Sequence, residues 1–414
     1  MVYMYVVQKG DTLYRLARRH SVNVEAMLVA NPVLSVSNPL VPGQLIHIPE
    51  RPVNQYIVQV GDSLSFLSKR FNIDVDDLLE ANPDVDWRWL KIGQSLVLPR
   101  SRGASVVRSD LPYGFSELET DLIQLTRKYP FLELRSIGKS VLEKPLFALR
   151  IGSGPVSMHA NAAIHANEWI TTPVLLKFVE EYSEALSTGG KLRGHSAEIL
   201  AQRTSLWIVP MVNPDGVELV LESVTPQHPF FDKLLTWNEG SFEFRRWKAN
   251  ANGVDLNDQF PAHWDDERKR RQVNEPGPRD YSGERALSEP EALALATFTS
   301  DNDFRLVVSL HTQGQELYWN YRDLEPEESE SLATRLARAS GVNAVKLTSS
   351  DAGYKDWFIQ QFRRPGFTLE LGFGVNPLPL EQFPDCYNSA ASLLVECLNY
   401  CATDEASNSD IVTN

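Results

Sequence analysis

Three shortages in the sequence each exclude a class of protein. The 414 residues include only three cysteines, Cys386, Cys397 and Cys401, and so sparse and odd a set does not form a disulfide framework. We expect buried reduced thiols, with redox or metal use as the alternative. No apolar stretch approaches the roughly 20 residues that span a membrane. Basic residues number 40 against 54 acidic ones, and the net charge of −14 argues against nucleic acid as the main partner.

An internal repeat occupies the first hundred residues. The segment YVVQKGDTLYRLARRHSVNVEAMLVANP, from Tyr5, aligns without a gap with YIVQVGDSLSFLSKRFNIDVDDLLEANP, from Tyr56, and the match resumes at PGQLIHIP and IGQSLVLP. Each copy begins with a strand of alternating pattern and a Gly-Asp turn at a helix N-cap. Apolar residues at helical spacing follow, and a closing strand ends the copy. Each copy therefore predicts a small βααβ unit.

These two copies resemble the LysM module, which we place at residues 1–50 and 51–100. The resemblance implies binding of N-acetylglucosamine-containing glycans such as those of peptidoglycan. The candidate glycan-binding residues lie at the first turn of each module: Gly10, Asp11, Thr12, Gly61, Asp62 and Ser63. The alternative is that these residues only cap helices.

The rest of the chain predicts one larger domain. Residues 101–112 carry Arg, Ser, Gly and Pro without periodicity and are interpreted as a linker. Over 113–401, apolar strand-like runs alternate with helices predicted at 172–186, 289–298, 327–339 and 386–401, which indicates an α/β fold with a mixed or mostly parallel sheet. Residues 402–414 are polar and are predicted to be a disordered tail.

Four residues of this domain suggest a metal-dependent hydrolase. His165 and Glu168, in AIHANEWIT, are a weak signal alone, because a surface hydrogen-bond pair can have the same spacing. His311 ends the run RLVVSLH, at the carboxyl end of a predicted strand, where open α/β sheets bind ligands. Glu370 lies in the apolar strand GFTLELG, where a carboxylate needs a cation, a metal-bound water or a raised pKa. Two His, one Glu and a further Glu match a hydrolytic zinc site, which keeps one position for water.

The order of HANEW, VNPDGVE, GVDLN, SLH and FTLELG resembles the zinc carboxypeptidase family over residues 113–401. This resemblance implies an α/β/α fold with a mixed, roughly eight-stranded sheet. It also implies one zinc per chain, held by His165, Glu168 and His311. Glu370 would then be the general base that later returns its proton to the leaving amine. Lys248 falls near the family's carbonyl-polarising arginine, although Arg245 and Arg246 are its neighbours.

One motif departs from that family. Members of the zinc carboxypeptidase family have an arginine after the first asparagine of N-R-N-F-P. This arginine binds the terminal carboxylate of the substrate. Here the string is Asn257-Asp258-Gln259, and an aspartate would repel a carboxylate and favour an ammonium. Lys355 falls at the floor of the family's specificity pocket, and with Asp258 it could address a zwitterionic side chain such as that of meso-diaminopimelate. The alternative for Asp258 is that the arginine was lost and another residue binds the terminal carboxylate. The alternative for Lys355 is a solvated lysine without a role in binding.

The combination of LysM repeats with a zinc carboxypeptidase-like domain that carries N-D-Q-F-P resembles the γ-D-glutamyl-meso-diaminopimelate peptidases of spore-forming bacteria. The resemblance implies hydrolysis of that bond in peptidoglycan stem peptides, with glycan strands and stem peptides as partners and neither nucleic acid nor membrane. Two other hypotheses stay open. One is a carboxypeptidase that acts on ordinary peptides, and the other is a wall-binding protein with an inactive peptidase domain.

The N-terminal segment MVYMYVVQKGDTL lacks the basic region, the long apolar core and the cleavage site of an export signal. If Met1 is the native start, the protein is not exported by the usual route. Some members of the peptidase family that it resembles also lack the signal and act in sporulating cells. We therefore expect a cytoplasmic location in a sporulating bacterium, or action at the wall or spore after release.

Overall fold

The computed structural model describes most of the chain and divides it into two compact units, Met1–Val106 and Val107–Asn414. The described residues are 3–7, 11–19, 27–28, 30–31, 34, 40–48, 55–58, 62–71, 75–83, 85–87, 89–97 and 105–409.

The first unit repeats one small architecture. In the first copy, β1 pairs antiparallel with β2, and in the second copy β3 pairs antiparallel with β4. The elements are β1 Tyr3–Val6, α1 Leu13–Arg19, β2 Leu45–Ile48, β3 Gln55–Ile57, α2 Leu64–Phe71, α3 Val75–Ala81 and β4 Ser95–Val97. The second copy shows the predicted βααβ order in full. Most of the second helix predicted for the first copy lies outside the described residues.

The asparagine of each Asn-Pro pair ties a helix to the closing strand. Asn31 donates to the carbonyls of Met27 and His47 at 2.8 and 2.7 Å and accepts from the His47 amide at 2.7 Å. Asn82 repeats this pattern with Leu78 and Val97 at 2.9, 2.7 and 2.7 Å. These bonds satisfy buried backbone groups that would otherwise lack partners, which explains why Asn stands at the same place in both copies.

The second unit is built on a mixed sheet of eight strands. The strands of this unit are β5 Glu133–Lys139, β6 Pro145–Ile151, β7 Val156–Asn161, β8 Lys191–Leu192, β9 His195–Ser196, β10 Thr204–Val209, β11 Phe304–Thr312, β12 Glu316–Tyr318, β13 Asn343–Val345 and β14 Gly366–Leu371. The order in the sheet is β13-β12-β14-β11-β7-β10-β6-β5. Four central strands, β14, β11, β7 and β10, run parallel, and β6 and β5 add antiparallel at one edge.

Helices cover both faces of this sheet, which makes the fold α/β/α. The helices are α4 Phe115–Lys128, α5 Thr171–Ser187, α6 Ala197–Arg203, α7 Pro214–Glu222, α8 Phe231–Trp237, α9 Trp264–Arg271, α10 Pro290–Ser300, α11 Ser329–Ser340, α12 Tyr354–Phe362 and α13 Phe383–Ser409. β10 is buried throughout, as expected for a parallel strand covered on both faces. α5 and α13 pack together, whereas α12 packs on β11 and β14 through an aromatic core that includes Phe260, Phe304 and Trp357.

Two boundaries differ from the sequence expectation. Val107 is buried, and its amide donates to Glu180 at 3.3 Å, so residues 107–112 belong to the second unit rather than to a linker. α13 continues past Cys401 to Ser409, so residues 402–409 are helical rather than a disordered tail. No Gly or Pro in this stretch ends the helix, and Ala402 is buried. Residues 410–414 lie outside the described residues.

The three cysteines, all within the described residues, are buried in α13 and form no disulfide. This agrees with structural thiols. None of the helices in the described ranges is long and apolar enough to cross a membrane.

Candidate metal centre and active site

His165, Glu168 and His311 meet at the carboxyl ends of β7 and β11. After β7 the chain turns through a short 3₁₀ segment, Ala166–Glu168, which places His165 and Glu168 side by side. Nδ1 of His165 lies 2.9 Å from Oε1 of Glu168, and Nδ1 of His311 lies 3.0 Å from Oε2. The two Nδ1 atoms are 3.1 Å apart. β11 therefore contributes the third donor that the local His-x-x-Glu motif lacks.

The three donors suit a zinc ion. One ligand atom from each residue lies within 4.8 Å of the others. All three side chains are buried, so water does not satisfy them in full. Two imidazole nitrogens and one carboxylate oxygen form the protein ligand set of a catalytic zinc, which leaves a fourth position open. The spacing of the three donor atoms fits a single cation.

Asp255 supports this centre and was missed as a site residue in the sequence. Its Oδ1 lies 3.2 Å from Nε2 of His165, and its Oδ2 lies 2.9 Å from Nζ of Lys248. Although burial favours the neutral acid, Lys248 and His165 hold the pKa of Asp255 well below its usual range. A carboxylate at this distance favours the tautomer with its proton on Nε2, which leaves Nδ1 to bind a metal. The available signal was an aspartate inside the otherwise apolar string GVDL.

Two further polar residues orient the Glu168 carboxylate. The Thr312 amide donates to Oε2 of Glu168 at 3.2 Å, and Nδ2 of Asn376 lies 3.4 Å from Oε1. The Thr312 hydroxyl donates to Oδ1 of Asn376 at 2.7 Å, and Asn376 donates to the Thr312 carbonyl at 2.8 Å. No sequence pattern indicates Asn376, because its contact depends on how the loop after β14 folds.

Glu370 lies beside the metal ligands, as expected for a base. In the β11–β14 ladder it is the direct partner of His311, so the two side chains share one face of the sheet. Its Oε2 is buried and has no hydrogen-bond partner among the described residues. Burial raises the pKa of Glu370 to about 8, and the nearby charge of Glu168 adds to this effect. A cation at the three donors would lower that pKa and favour the basic form.

Lys248 reaches the same centre. Its carbonyl accepts from the Ala166 amide at 3.1 Å, which joins its segment to the metal-binding turn. Although burial favours the neutral amine, Asp255 and Asp258 keep the pKa of Lys248 above its usual value, so it stays charged. Arg245 and Arg246, the other cations of this segment, are exposed. The structure thus favours Lys248 as the cation at the site, and its role in catalysis stays a prediction.

Asp258 is not the free acceptor that the sequence predicted, because its side chain has a partner within the protein. The side chain is buried, and both oxygens accept from Arg271 of α9, at 2.7 Å from Nε and 2.9 Å from Nη2. Arg271 also contacts Glu267 at 2.8 Å and Asp280 at 3.3 Å. Asp258 is thus paired within the protein, and its binding of a substrate ammonium stays a prediction. α9 folds back onto this turn and brings a partner that the local sequence does not reveal.

Lys355 and Asn257 lie together near the start of α12. The Lys355 ammonium is buried and donates to the Asn320 carbonyl at 2.7 Å and to Asp356, so it is not a solvated lysine. Oδ1 of Asn257 accepts from the Tyr354 amide at 3.2 Å. Most of the hydrogen-bonding capacity of Lys355 is thus used within the protein. Substrate binding by Asn257 and Lys355 stays a prediction.

In the glycan-binding modules, the structure shows capping roles for two candidates. The Thr12 hydroxyl accepts from the Arg15 amide at 3.0 Å, and the Ser63 hydroxyl accepts from the Phe66 amide at 3.2 Å. Asp11 is buried and accepts from the Tyr5 hydroxyl at 2.8 Å. Asp62 is half-buried. Gly10 and Gly61 lie outside the described residues.

These features define a zinc metallopeptidase with wall-binding modules, and comparison with known proteins agrees. The sequence matches the zinc carboxypeptidase family, Peptidase_M14, over residues 118–389, and the LysM domain over residues 5–49 and 56–99. The chain belongs to the zinc carboxypeptidase family and carries two LysM domains ahead of the peptidase domain. The predicted fold class, zinc and enzyme class are thereby confirmed.

Two curated relatives and one solved structure extend this result. The chain is 41% identical over 389 residues to gamma-D-glutamyl-L-diamino acid endopeptidase 1 of Lysinibacillus sphaericus, covering 82% of this chain and 98% of the relative. It is 41% identical over 298 residues to the uncharacterized protein YqgT of Bacillus subtilis, covering 71% and 79%. The crystal structure of thrombin activatable fibrinolysis inhibitor matches with a TM-score of 0.58 at 21% identity, covering 80% and 83%, which shows a shared fold.

Proposed function

We propose that this protein hydrolyses the γ-D-glutamyl–meso-diaminopimelate bond in peptidoglycan stem peptides, and that its LysM modules hold it on the glycan. The observation that carries the proposal is a complete site of three metal ligands and a neighbouring base. This site occurs in a chain that is 41% identical to a γ-D-glutamyl-L-diamino acid endopeptidase over 98% of that relative. The complete site disfavours an inactive peptidase domain.

An ordinary carboxypeptidase is the second candidate, and the surroundings of Asp258 disfavour it. A free terminal carboxylate needs an available cation. Arg271, the arginine nearest to this position, is already in contact with Asp258, Glu267 and Asp280. Three carboxylates around one guanidinium leave little net attraction for a fourth.

Each step of the proposed reaction is assigned to particular residues of the chain. Zinc, when bound by His165, Glu168 and His311, supplies a Lewis acid that polarises the scissile carbonyl and makes water a better nucleophile. Glu370 takes a proton from the attacking water as the C–O bond forms. It then delivers that proton to the diamino acid nitrogen as the C–N bond breaks. In this proposal, Lys248 stabilises the negative charge that develops on the carbonyl oxygen.

The direct test is turnover of defined substrates by the full chain. L-alanyl-γ-D-glutamyl-meso-diaminopimelate should yield L-alanyl-D-glutamate and free diaminopimelate, separated by chromatography and identified by mass. An ordinary peptide with a free aromatic C-terminal residue is the comparison substrate. Release of that residue without cleavage of the muropeptide would favour the carboxypeptidase instead, and cleavage of neither would favour an inactive domain.

The modules should raise the local substrate concentration without taking part in the chemistry. A chain that starts at Ser105 keeps the second compact unit whole, and we expect it to cleave soluble muropeptides as the full chain does. It should pellet poorly with intact peptidoglycan, because two weak sites on one polymer gain by effective concentration. A sedimentation assay with both chains checks this, and equal pelleting would contradict the role of the modules.

We propose peptidoglycan as the main partner, and neither nucleic acid nor membrane. The net charge of −14 is in line with this choice. The place of action stays a prediction: the cytoplasm of a sporulating bacterium, or the wall or spore after release.

A further inference from the structure

A row of three polar side chains crosses neighbouring strands at the active site. His311 of β11 is the direct partner of Glu370 of β14, and Glu370 is in turn the direct partner of Glu316 of β12. Directly opposed residues in a sheet project from the same face. Glu316 therefore lies one strand beyond the catalytic base, on the side away from the metal ligands.

Glu316 has a neighbour that fixes its position. The Tyr318 hydroxyl donates to Oε2 of Glu316 at 2.6 Å. Tyr318 lies two residues along β12 and thus projects from the same face, where it opposes Thr368 of β14. Glu316 and Tyr318 are half-buried, so part of each side chain is accessible to solvent.

The carboxylate of Glu316 lacks a basic partner. Across the part of the chain that the structure describes, it forms no ion pair with lysine, arginine or histidine, whereas Asp255 and Asp258 have Lys248 and Arg271. Its nearest charged neighbour across the ladder is Glu370, another carboxylate. Two neighbouring carboxylates disfavour each other's ionised form, and a cation between or above them would favour the ionised form of both.

The turn before β12 brings Gly314 next to Glu316 and Glu370. A Cβ placed on Gly314 would lie 3.6 Å from Cβ of Glu370 and 3.7 Å from Oε2 of Glu316. These are ordinary contact distances, so the glycine leaves room for one small group between the Glu370 side chain and the carboxylate of Glu316.

We propose that Glu316, positioned by Tyr318, binds the free second amino group of the substrate's diamino acid and so determines specificity. This inference rests on the proposed function, because a diamino acid brings a second amino group to the leaving side of the scissile bond, in addition to the nitrogen of that bond. The ammonium supplies the positive charge that the protein itself does not place there. This role replaces the one that the sequence suggested for Asp258.

The test compares two substrates that differ only in that amine. One is L-alanyl-γ-D-glutamyl-meso-diaminopimelate, and the other carries 2-aminopimelate, which has hydrogen in place of the distal amine. The parent should prefer the diamino substrate. In Glu316→Gln, kcat/KM for that substrate should fall on the order of 10²-fold, mainly through KM. For the analogue, kcat/KM should stay within about threefold, because no amine is there to bind.

Two further variants make the result specific. Tyr318→Phe removes the hydrogen bond that orients Glu316 and should reduce the preference in the same direction, to a smaller extent. Glu198→Gln removes the same charge from an exposed position on α6 and should leave the preference unchanged. Zinc content and Tm of each variant report on folding. If Glu316→Gln does not fold, the ratio of kcat/KM for the two substrates in Tyr318→Phe decides the test.

The outcomes separate this inference from the proposed function. Equal losses on both substrates would mean that Glu316 acts through Glu370 rather than on the amine, and would overturn the inference. A parent enzyme that cleaves both substrates equally well would overturn it too, while leaving the peptidase activity established. Cleavage of neither substrate by the parent would instead refute the proposed function.

Discussion

Glu370→Gln is expected to keep zinc and fold while kcat on the muropeptide falls by about 10²–10⁴-fold or more, since a base of this kind typically contributes that much and here serves both halves of the reaction. Oε2 of Glu370 has no hydrogen-bond partner among the described residues, so the replacement breaks no bond at that atom. The amide keeps the size of the side chain but cannot accept the water proton. Steady-state kinetics, zinc analysis and a thermal melt measure the three quantities.

Glu370→Asp is the matched control, because it keeps the acid and shortens its reach. It should retain zinc and show activity between the parent and Glu370→Gln. Activity of Glu370→Gln within about tenfold of the parent would exclude Glu370 as the general base, given the usual size of this contribution.

His311→Ala is expected to lose stoichiometric zinc and, with it, measurable turnover. His311 is buried at the end of β11 and supplies one of three protein ligands. A site reduced to His165 and Glu168 cannot complete the ligand set of a catalytic zinc. Metal analysis after dialysis against a weak chelator checks the loss, and one retained zinc per chain would refute the assignment.

His159→Leu is the matched control for this experiment. His159 is also a fully buried histidine, on β7, but it packs against Phe298 and Phe304 rather than at the metal centre. Burial lowers the pKa of His159 to about 3, so it is a neutral core residue. Its replacement should change Tm while leaving one zinc per chain.

The motifs predicted most of the metal centre because its parts are local. His165 and Glu168 lie on one short turn, and the residues between them set their separation. His311 and Glu370 each interrupt an apolar strand, and such a polar residue is visible without knowledge of the fold. The two LysM modules were visible for the same reason, since a repeat shows itself when the chain is compared with itself.

The roles of charged residues around the substrate were not predictable in this way. Asp258 appeared free in the sequence, but Arg271, thirteen residues later, is its partner because α9 folds back over the turn. Asn376 reaches Glu168 across 208 residues through the loop after β14. Such contacts depend on chain reversals that no local pattern encodes.

The sequence by itself therefore determined the modules and the α/β class, and it predicted the zinc ligands and the base. Each of these follows from residue spacing or from a polar residue in an apolar run. Only the tertiary structure decided which carboxylates are paired and which are available. Glu316 stands opposite Glu370 because β12 is the neighbour of β14 in the sheet. Strand order and helix packing arise from burial over the whole domain, so the pairing of each carboxylate is a property of the fold and not of any one segment.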